Sequence, residues 1–370
     1  MAEKLYNHFL GKKLIENLPF QISIFPEISP IITTVIILGA ILFIFVAFIF
    51  QKLISKVNTE RKKSLTLENK PNRVTKFVEL HLHLDGSITL DIAKKLAQLQ
   101  NIKLPYVDDE DLENHLSVPG ECVDLNQFLE MFALPLSLMQ TPKGLREAVR
   151  LVADNIYSQG VIYAEIRFAP QLHQQKEMTQ EDAILAALKG LKLTKLKANL
   201  ILCLMRGEGN EAENERTVEL AKKYLVKDGG VVGLDIAGAE ALFPTINYKD
   251  IFRKAKEYNI PFTIHAGEAD GADSVKAAIE FGASRIGHGV RSFEDPKVVE
   301  MIKNKGITLE MCPTSNRQTH AVDDMTKYPF RQYLEQGIKV TLNTDDMGIE
   351  RTTLPLEFEY MEKNFNLNYE

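Results

Sequence analysis

The part of the chain that follows residue 73 is predicted to have an α/β fold, a (β/α)8 TIM barrel. Eight short apolar runs alternate there with helix-length amphipathic segments, and such alternation is typical of parallel βα units. Eight strands over roughly 300 residues suit a closed barrel. A doubly wound open sheet is the alternative, although Gly207–Gly209 and Gly287–Gly289 both lack the third glycine of a dinucleotide-binding fingerprint.

The predicted strands are the apolar runs of this domain, which spans residues 74–370. In chain order they are Phe77–Leu82, Val161–Phe168, Asn199–Leu204, Val231–Ile236, Pro261–Ile264, Arg285–His288, Ile307–Met311 and Ile338–Asn343. Apolar residues at helical spacing predict helices between most of them. Examples are Asp182–Ala198, Thr217–Val226 and Ala272–Phe281.

Composition and charge narrow the class of protein. The 370 residues are 45% hydrophobic and 25% charged, which is typical of a globular chain. The net charge is -6 and no basic stripe stands out, so we expect no nucleic-acid partner. The three cysteines, Cys122, Cys203 and Cys312, are scattered and odd in number, which indicates a reducing compartment rather than a disulfide framework.

The first 73 residues differ from the rest of the chain. After a leader of residues 1–30, residues 31–50 are apolar and uncharged, and this length predicts a transmembrane helix. Lys52, Lys56 and a basic cluster follow within a polar linker, residues 51–73. The positive-inside rule then predicts a single-pass membrane protein in which the domain of residues 74–370 is cytoplasmic. Alternatively the leader is unrelated to the enzyme and the protein is cytoplasmic.

An unusually long connection, residues 87–160, separates the first two predicted strands. Within it Leu125–Phe132 is apolar at helical spacing. Because active sites of barrel enzymes lie on the loops that follow the strands, we expect this helical insertion to form a lid over the barrel mouth. A helix packed on the barrel wall is the alternative.

Polar side chains follow most of the predicted strands. His81 and His83 alternate on the first strand, so both point to one face. His265 ends the fifth strand and Asp345 follows the eighth. Because the carboxyl ends of barrel strands converge, these three imidazoles and one carboxylate predict a catalytic zinc site. The alternatives are two core histidines and, for Asp345 with Asp346, a helix N-cap.

Three further ionisable groups lie beside the predicted ligands. Glu268 follows His265 by three residues and is free to act as a proton shuttle. His288 and Asp346 then face the substrate or support the ligands. The remaining histidines, for which solvated side chains are expected, are His8, His115, His173 and His320.

Six motifs surround these strand ends. They are Phe77–Ser87, Gly233–Glu240, His265–Glu268, Gly287–Gly289, Cys312–Asn316 and Asn343–Asp346. Taken in order, they resemble the motifs of the adenosine deaminase family within the amidohydrolase superfamily, and the resemblance covers about residues 74–370. It implies hydrolytic deamination of adenosine and 2′-deoxyadenosine to inosine and deoxyinosine, with water as co-substrate and release of ammonia.

The resemblance also implies a role for each site residue. One zinc ion corresponds to the ligand set His81, His83, His265 and Asp345, because Ile236–Gly238 stands where two-metal relatives carry a lysine. Glu268 corresponds to the acid that protonates purine N1, and His288 to the group that orients the hydroxide. Asp346 corresponds to the partner of the hydroxide and of N7. The implied substrate contacts are Gly238 at N3, His83 and Asp85 at the ribose 5′-OH, and a hydrophobic lid of Phe128, Leu129 and Phe132.

Other functions remain open at this point. Adenine deaminases typically carry Glu where Asp85 stands and lack the Ala237–Glu240 stretch, which favours a nucleoside substrate over adenine or another 6-aminopurine. A catalytically weak, membrane-bound nucleoside-binding protein is a further alternative. Only one helix pattern, Leu354–Asn364, follows the last strand, so we expect a truncated C-terminus that leaves the domain prone to aggregation.

Overall fold

A computed structural model of the chain describes residues 75–367, apart from residues 105, 107 and 119–124. The predicted leader, transmembrane segment and linker, residues 1–73, lie outside this range, as does Cys122. Among the described residues no helix has the length and apolar character needed to cross a membrane. Cys203 and Cys312 are buried free thiols.

All eight predicted strands are present in the described part of the chain. They are β1 (Phe77–His83), β2 (Val161–Phe168), β3 (Lys197–Met205), β4 (Val231–Ala237), β5 (Thr263–Ala266), β6 (Arg285–His288), β7 (Thr308–Met311) and β8 (Lys339–Leu342). The second and sixth have the predicted bounds, and the others shift by one or two residues at either end. These small shifts leave the order of strands and connections as predicted.

The strands form two four-stranded parallel sheets, in the orders β1-β2-β3-β4 and β5-β6-β7-β8. Single parallel bridges link the sheets on both sides, from Leu234 to Phe262 and from Leu82 to Asp345. At the second of these, the His83 amide donates to the Asp345 carbonyl at 2.9 Å. This sequential order does not fit the alternative of a doubly wound sheet, in which the strand order reverses at a switch point.

Helices follow or connect the strands. In the described residues they are α1 (Leu90–Gln100), α2 (Asp109–Leu116), α3 (Leu125–Glu130), α4 (Ala133–Ser137), α5 (Pro142–Ser158), α6 (Gln180–Leu191), α7 (Glu211–Tyr224), α8 (Lys249–Glu257), α9 (Ala272–Phe281), α10 (Pro296–Lys305), α11 (Pro313–Gln318), α12 (Phe330–Glu335) and α13 (Leu354–Phe365). The prediction of one helix over Asp182–Ala198 was wrong at its C-terminal end. The helix is α6, which a capping box at Thr179 starts early, and Ala198 already belongs to β3.

Helix α5 shows why these elements form where they do. Thr141 caps it by accepting a hydrogen bond from the Gly144 amide, and Pro142 occupies its first turn. Leu145, Val149 and Val152 recur along one face and are fully buried. This face packs α5 against α6 and β2, so the long insertion between β1 and β2 is anchored to the core.

The last helix covers the meeting point of the two sheets. Helix α13 extends one residue beyond the predicted pattern and contacts both β1 and β8. The ring of Phe358 lies edge-on to that of Phe77, with 5.0 Å between the ring centroids. Leu354 and Met361 from the same helix are almost fully buried. The predicted helix therefore does cover this part of the sheet.

Candidate active site

The four predicted metal ligands meet at the carboxyl ends of β1, β5 and β8. The Nε2 atom of His265 lies 3.0 Å from Nε2 of His81 and 3.0 Å from Nε2 of His83. The Oδ1 atom of Asp345 lies 3.2 Å from Nε2 of His81 and 3.4 Å from Nε2 of His83. The structure therefore brings the whole predicted set together, which favours a shared site over the alternative of two unrelated core histidines.

Buried carboxylates hold the far side of two of these imidazoles. Nδ1 of His81 is 2.9 Å from Oε2 of Glu310, and Nδ1 of His265 is 2.9 Å from Oδ2 of Asp235. An imidazole that donates its Nδ1 proton to a carboxylate presents a lone pair at Nε2. The hydrogen bond to Glu310 favours a free lone pair at Nε2 of His81, and the nearby Asp235 carboxylate favours the same tautomer of His265.

The donor set fits a cation. If neither Nε2 carries a proton, the two lone pairs at 3.0 Å repel each other, and a cation bound between them would remove that repulsion. The Oδ1 atom of Asp345 is buried and has no hydrogen-bond donor among the described residues. Three imidazole nitrogens with one carboxylate oxygen are the ligand types of catalytic zinc sites. His288 also lies near, since His81, His265, His288 and Asp345 each place one ligand atom within 4.8 Å of the others.

An arginine joins the two supporting carboxylates. Arg167 is completely buried in β2 and binds Oδ2 of Asp235 at 2.5 Å and Oε2 of Glu310 at 2.8 Å. It also donates to the Leu80 carbonyl at 2.6 Å. Its two carboxylate partners raise the pKa of the guanidinium above its usual value, so it stays charged despite its burial. Arg167 therefore links the two carboxylates that contact His81 and His265.

Glu268 and His288 lie next to the metal-facing cluster. Oε2 of Glu268 is 3.6 Å from Nε2 of His288, and that nitrogen is also 3.6 Å from Oδ2 of Asp345. Burial raises the pKa of Glu268 to about 8, helped by the negative charges of Asp345 and Glu240. Glu268 is thus a carboxylic acid that keeps its proton near neutral pH.

The proton on His288 can be placed from its neighbours. Tyr328 donates its hydroxyl proton to Oδ1 of Asn316 at 2.9 Å, which turns the amide nitrogen of Asn316 towards His288. That nitrogen is 3.0 Å from Nδ1 of His288, which therefore accepts a hydrogen bond. The ring proton then lies on Nε2, the nitrogen that faces the cluster.

The segment that carries Asp345 and Asp346 is held in an unusual conformation. Asp345 has a φ of 70° and His288 a φ of 58°. Both values lie in the left-handed region, which residues other than glycine adopt uncommonly. Ser315 donates to Oδ2 of Asp345 at 2.8 Å. Gly86 is required beside Asp346, because an added Cβ would lie 1.7 Å from its Oδ1 atom. These contacts, rather than a helix N-cap, explain the two consecutive aspartates.

The cluster forms the floor of a cavity of about 300 Å³. The predicted substrate residues that line it are His83, Asp85, Gly238, Asp346, Phe128, Leu129 and Phe132. The last three come from α3 and the residues that follow it, so the insertion between β1 and β2 covers the cavity as predicted. Burial raises the pKa of Asp85 to about 6. Gly238 has a φ of 106°, which explains glycine at that position.

One histidine prediction was wrong. His173 is completely buried between two segments, with Nδ1 3.2 Å from the Met139 carbonyl, and is not solvated. Its ring centroid lies 5.7 Å from that of Phe168. Burial lowers the pKa of His173 to about 4. A polar local sequence hides this burial because the insertion that covers the residue is distant in the chain.

The sequence reading also missed the supporting charges Arg167, Asp235, Glu310 and Glu240. A signal for the first three was present. Each is a charged residue flanked by apolar neighbours within a predicted strand, and charges are rarely buried without a partner. Three such residues on three strands indicate a buried ionic network.

Comparisons with known proteins agree with this geometry. A family model described as adenosine deaminase matches residues 77–370. The chain is 46% identical over 297 residues to an adenosine deaminase from Haemophilus ducreyi, covering 79% of this chain and 86% of the relative. An adenosine deaminase from Enterococcus faecalis is 39% identical, with 79% and 87% covered. Among solved structures, an adenine deaminase from Arthrobacter aurescens aligns with a TM-score of 0.72 and 25% identity over 80% of this chain and 89% of the other. The chain belongs to the adenosine deaminase family.

Proposed function

We propose that this enzyme is a zinc-dependent hydrolase that converts adenosine and 2′-deoxyadenosine to inosine and deoxyinosine, with release of ammonia. One observation carries the proposal. A buried acid, Glu268, lies beside a convergent set of three imidazole nitrogens and one carboxylate oxygen, in a covered cavity. Adenosine deamination is the activity of the family, and this arrangement matches its chemistry.

The metal ligands in this proposal are His81, His83, His265 and Asp345. Nε2 of each histidine and Oδ1 of the aspartate lie at 3.0–3.4 Å across the measured pairs. His288 is assigned a different role because its nitrogen faces the other oxygen of Asp345, at 3.6 Å. A bound zinc ion lowers the pKa of a coordinated water and so makes a nucleophile available near neutral pH. We propose one ion, since Ile236–Gly238 offers no lysine to bridge a second.

Glu268 supplies the proton that the purine ring needs. As an oxygen nucleophile attacks C6, negative charge would build up on N1 unless a proton arrives there. Glu268 holds such a proton at neutral pH because burial raises its pKa to about 8. After the proton has moved to N1, the proton of the new C6 hydroxyl passes to the amino group, which leaves as ammonia while the C6 oxygen becomes the carbonyl of inosine. A group with an ordinary glutamate pKa would already be ionised and could not donate.

Two further groups orient the nucleophile. His288 directs its Nε2 proton towards the cluster, because Asn316 occupies its other nitrogen. Asp346 lines the cavity next to Asp345, and we assign it contacts with the nucleophile and with purine N7. Both groups are buried and have preset positions, so little reorganisation accompanies the reaction.

The remaining cavity residues recognise the nucleoside. Gly238 presents its backbone towards purine N3, while His83 and Asp85 lie where the ribose 5′-OH binds. Phe128, Leu129 and Phe132 form the apolar cover of the base. The cavity of about 300 Å³ has the volume expected for a small-molecule site. We also propose that the two sheets close into a (β/α)8 barrel, which the bridges Leu234–Phe262 and Leu82–Asp345 support.

The substrate choice is tested by a side-by-side assay. Adenosine, 2′-deoxyadenosine, adenine and AMP are each supplied to the purified enzyme, and ammonia release gives kcat/KM. Adenine is the competing candidate because an adenine deaminase aligns with this chain. We expect adenosine and 2′-deoxyadenosine to exceed adenine and AMP. Faster turnover of adenine than of adenosine would refute the proposed substrate.

The location that we propose for the enzyme rests on the sequence alone. We propose that residues 31–50 anchor the chain in a membrane with the catalytic domain in the cytoplasm. The support is the uncharged apolar run, followed by lysines and arginines between residues 52 and 63.

A further inference from the structure

Glu240 is a buried carboxylate that receives hydrogen bonds from an entire loop. Only 1% of its surface is exposed, and it follows β4, whereas the loop it binds follows β5 and contains Glu268. We propose that Glu240 is a positioning residue for Glu268: it holds the backbone on which the acid is mounted. The inference rests on the proposed role of Glu268 in the deamination of adenosine.

Five donors converge on the two oxygens of Glu240. Oε1 accepts from the Gly267 amide at 2.7 Å and from the Ser274 hydroxyl at 2.5 Å. Oε2 accepts from three consecutive amides, those of Glu268 at 3.0 Å, Ala269 at 2.8 Å and Asp270 at 3.0 Å. One side chain therefore binds four successive backbone N–H groups. Few arrangements define the path of a loop more completely.

The loop has no regular structure of its own to replace these bonds. Gly267 has a φ of 72°, so the chain leaves β5 in the left-handed region. Helix α9 begins only at Ala272, so the four amides lie between a strand and a helix. Without this acceptor, the buried amides of Gly267 and Glu268 would be left unsatisfied, and the loop would rearrange to reach other acceptors.

The direction of the Glu268 side chain depends on this backbone. Its Oε1 atom accepts a long hydrogen bond of 3.3 Å from Thr319, and its Oε2 atom lies 3.6 Å from His288. Neither contact is short enough to define the position of the carboxyl group. A shift of the loop would therefore move the acid relative to purine N1, and small misplacements of a reacting group cost much in rate.

A second charge completes the support. Ser274 hydrogen-bonds Thr245 at 2.6 Å, and Thr245 accepts from the guanidinium of Arg206 at 2.9 Å. Arg206 is buried and also donates to the His265 carbonyl at 2.6 Å. The chain of contacts thus runs from Glu240 through two hydroxyls to an arginine that holds the strand end bearing a metal-facing histidine. One network positions both ends of the segment from His265 to Asp270.

The test begins with Glu240→Gln. An amide offers one oxygen where the carboxylate offers two, so whichever way it turns, its NH2 group faces at least one backbone N–H. We expect kcat for adenosine to fall by about tenfold to a hundredfold, as for the loss of charged hydrogen bonds at a site, while KM changes by less than about threefold. Zinc content should remain at the wild-type level. The matched control is Glu181→Gln, which removes a surface carboxylate that binds Lys223 and Tyr224 and should leave kcat unchanged.

A double-mutant cycle separates positioning from general damage to the fold. If Glu240 acts through Glu268, then Glu240→Gln should cost less than about twofold in kcat once Glu268→Gln is present. The same cost in both backgrounds would overturn the inference about Glu240 and leave the proposed function intact. Wild-type turnover by Glu268→Gln alone would instead refute the assignment of the acid, and the inference with it. If Glu240→Gln does not fold, Glu240→Asp serves in the same cycle, because it keeps the charge but cannot reach all five donors.

Discussion

Replacing Arg167 by Met is the change that tests the buried ionic network most severely. The side chain is completely buried, and methionine has a similar length without charge or donors. Arg167 binds one oxygen of Asp235 and one of Glu310, and these carboxylates hold His265 and His81. The variant should therefore lose both stability and metal affinity.

The expected loss in the free energy of unfolding follows from the ion pairs around Arg167. The network contains two arginines, Arg167 and Arg285, and three carboxylates, Asp235, Glu310 and Glu165. In the metal-free protein, the substitution leaves one arginine for three buried carboxylates, and removing one partner of a buried pair costs about 3–5 kcal/mol. Glu310 keeps its bond to Arg285 at 2.5 Å, which limits the loss. We expect the free energy of unfolding to fall by about 4 kcal/mol, a large part of a typical total of about 5–15 kcal/mol.

Urea unfolding and zinc titration are the two assays. Beyond the stability loss, misoriented histidines should weaken zinc binding by about tenfold to a hundredfold, as is typical for partners of metal ligands. Arg216→Met is the control, because that side chain is about half exposed and makes one 3.3 Å ion pair with Glu181. It should cost less than about 1 kcal/mol and leave zinc binding unchanged. If Arg167→Met had the urea midpoint and zinc affinity of the wild type, Arg167 would support neither the fold nor the metal site.

Three further predictions concern the acid, a buried histidine and the membrane segment. Glu268→Gln should retain zinc but lose roughly a hundredfold or more in kcat, as for removal of a general acid; near-normal turnover would assign the proton to another group. His173 is neutral in the fold because its pKa is lowered to about 4, whereas the unfolded chain binds the proton below about 6.5, so stability should fall as the pH drops through that window. From pH 7 to pH 5 the contribution of His173 amounts to about 2 kcal/mol, so urea unfolding should show a loss of stability smaller by that amount in His173→Phe than in the wild type. An equal loss in both proteins would contradict this prediction. Protease added to intact cells should leave residues 74–370 undigested, and recovery of the whole protein in the soluble fraction would exclude the membrane anchor.

The strands and the residues at their ends were predictable because both depend on local pattern. The first strand alternates polar and apolar residues from Val78 to Asp85, and period two alone places His81 and His83 on one face. Parallel strands bring His265 and Asp345 to the same end without further information. The lid residue Phe128 was found through helical spacing together with the length of the insertion.

The parts of the site that depend on distant contacts were not predictable in this way. Glu240 lies in a loop, and nothing in the sequence around it indicates that it binds the amides of residues 267–270. Those amides belong to the loop that follows a different strand, β5. The burial of His173 requires the Met139 carbonyl, from an insertion more than thirty residues away in the chain. The left-handed φ of Asp345 was likewise not predictable, because residues other than glycine seldom adopt it, although aspartate does so more often than most.

The need for zinc is tested most directly by measuring ammonia release from adenosine by metal-depleted enzyme, before and after the addition of zinc. We expect no turnover without metal and full turnover when about one ion per chain has been added, with a sharp end point because the ligands are already assembled. His265→Ala, which removes one of the four donors, should neither retain zinc nor regain activity. Undiminished deamination by the metal-free protein, or full zinc occupancy in His265→Ala, would contradict the assignment of these residues as the metal site.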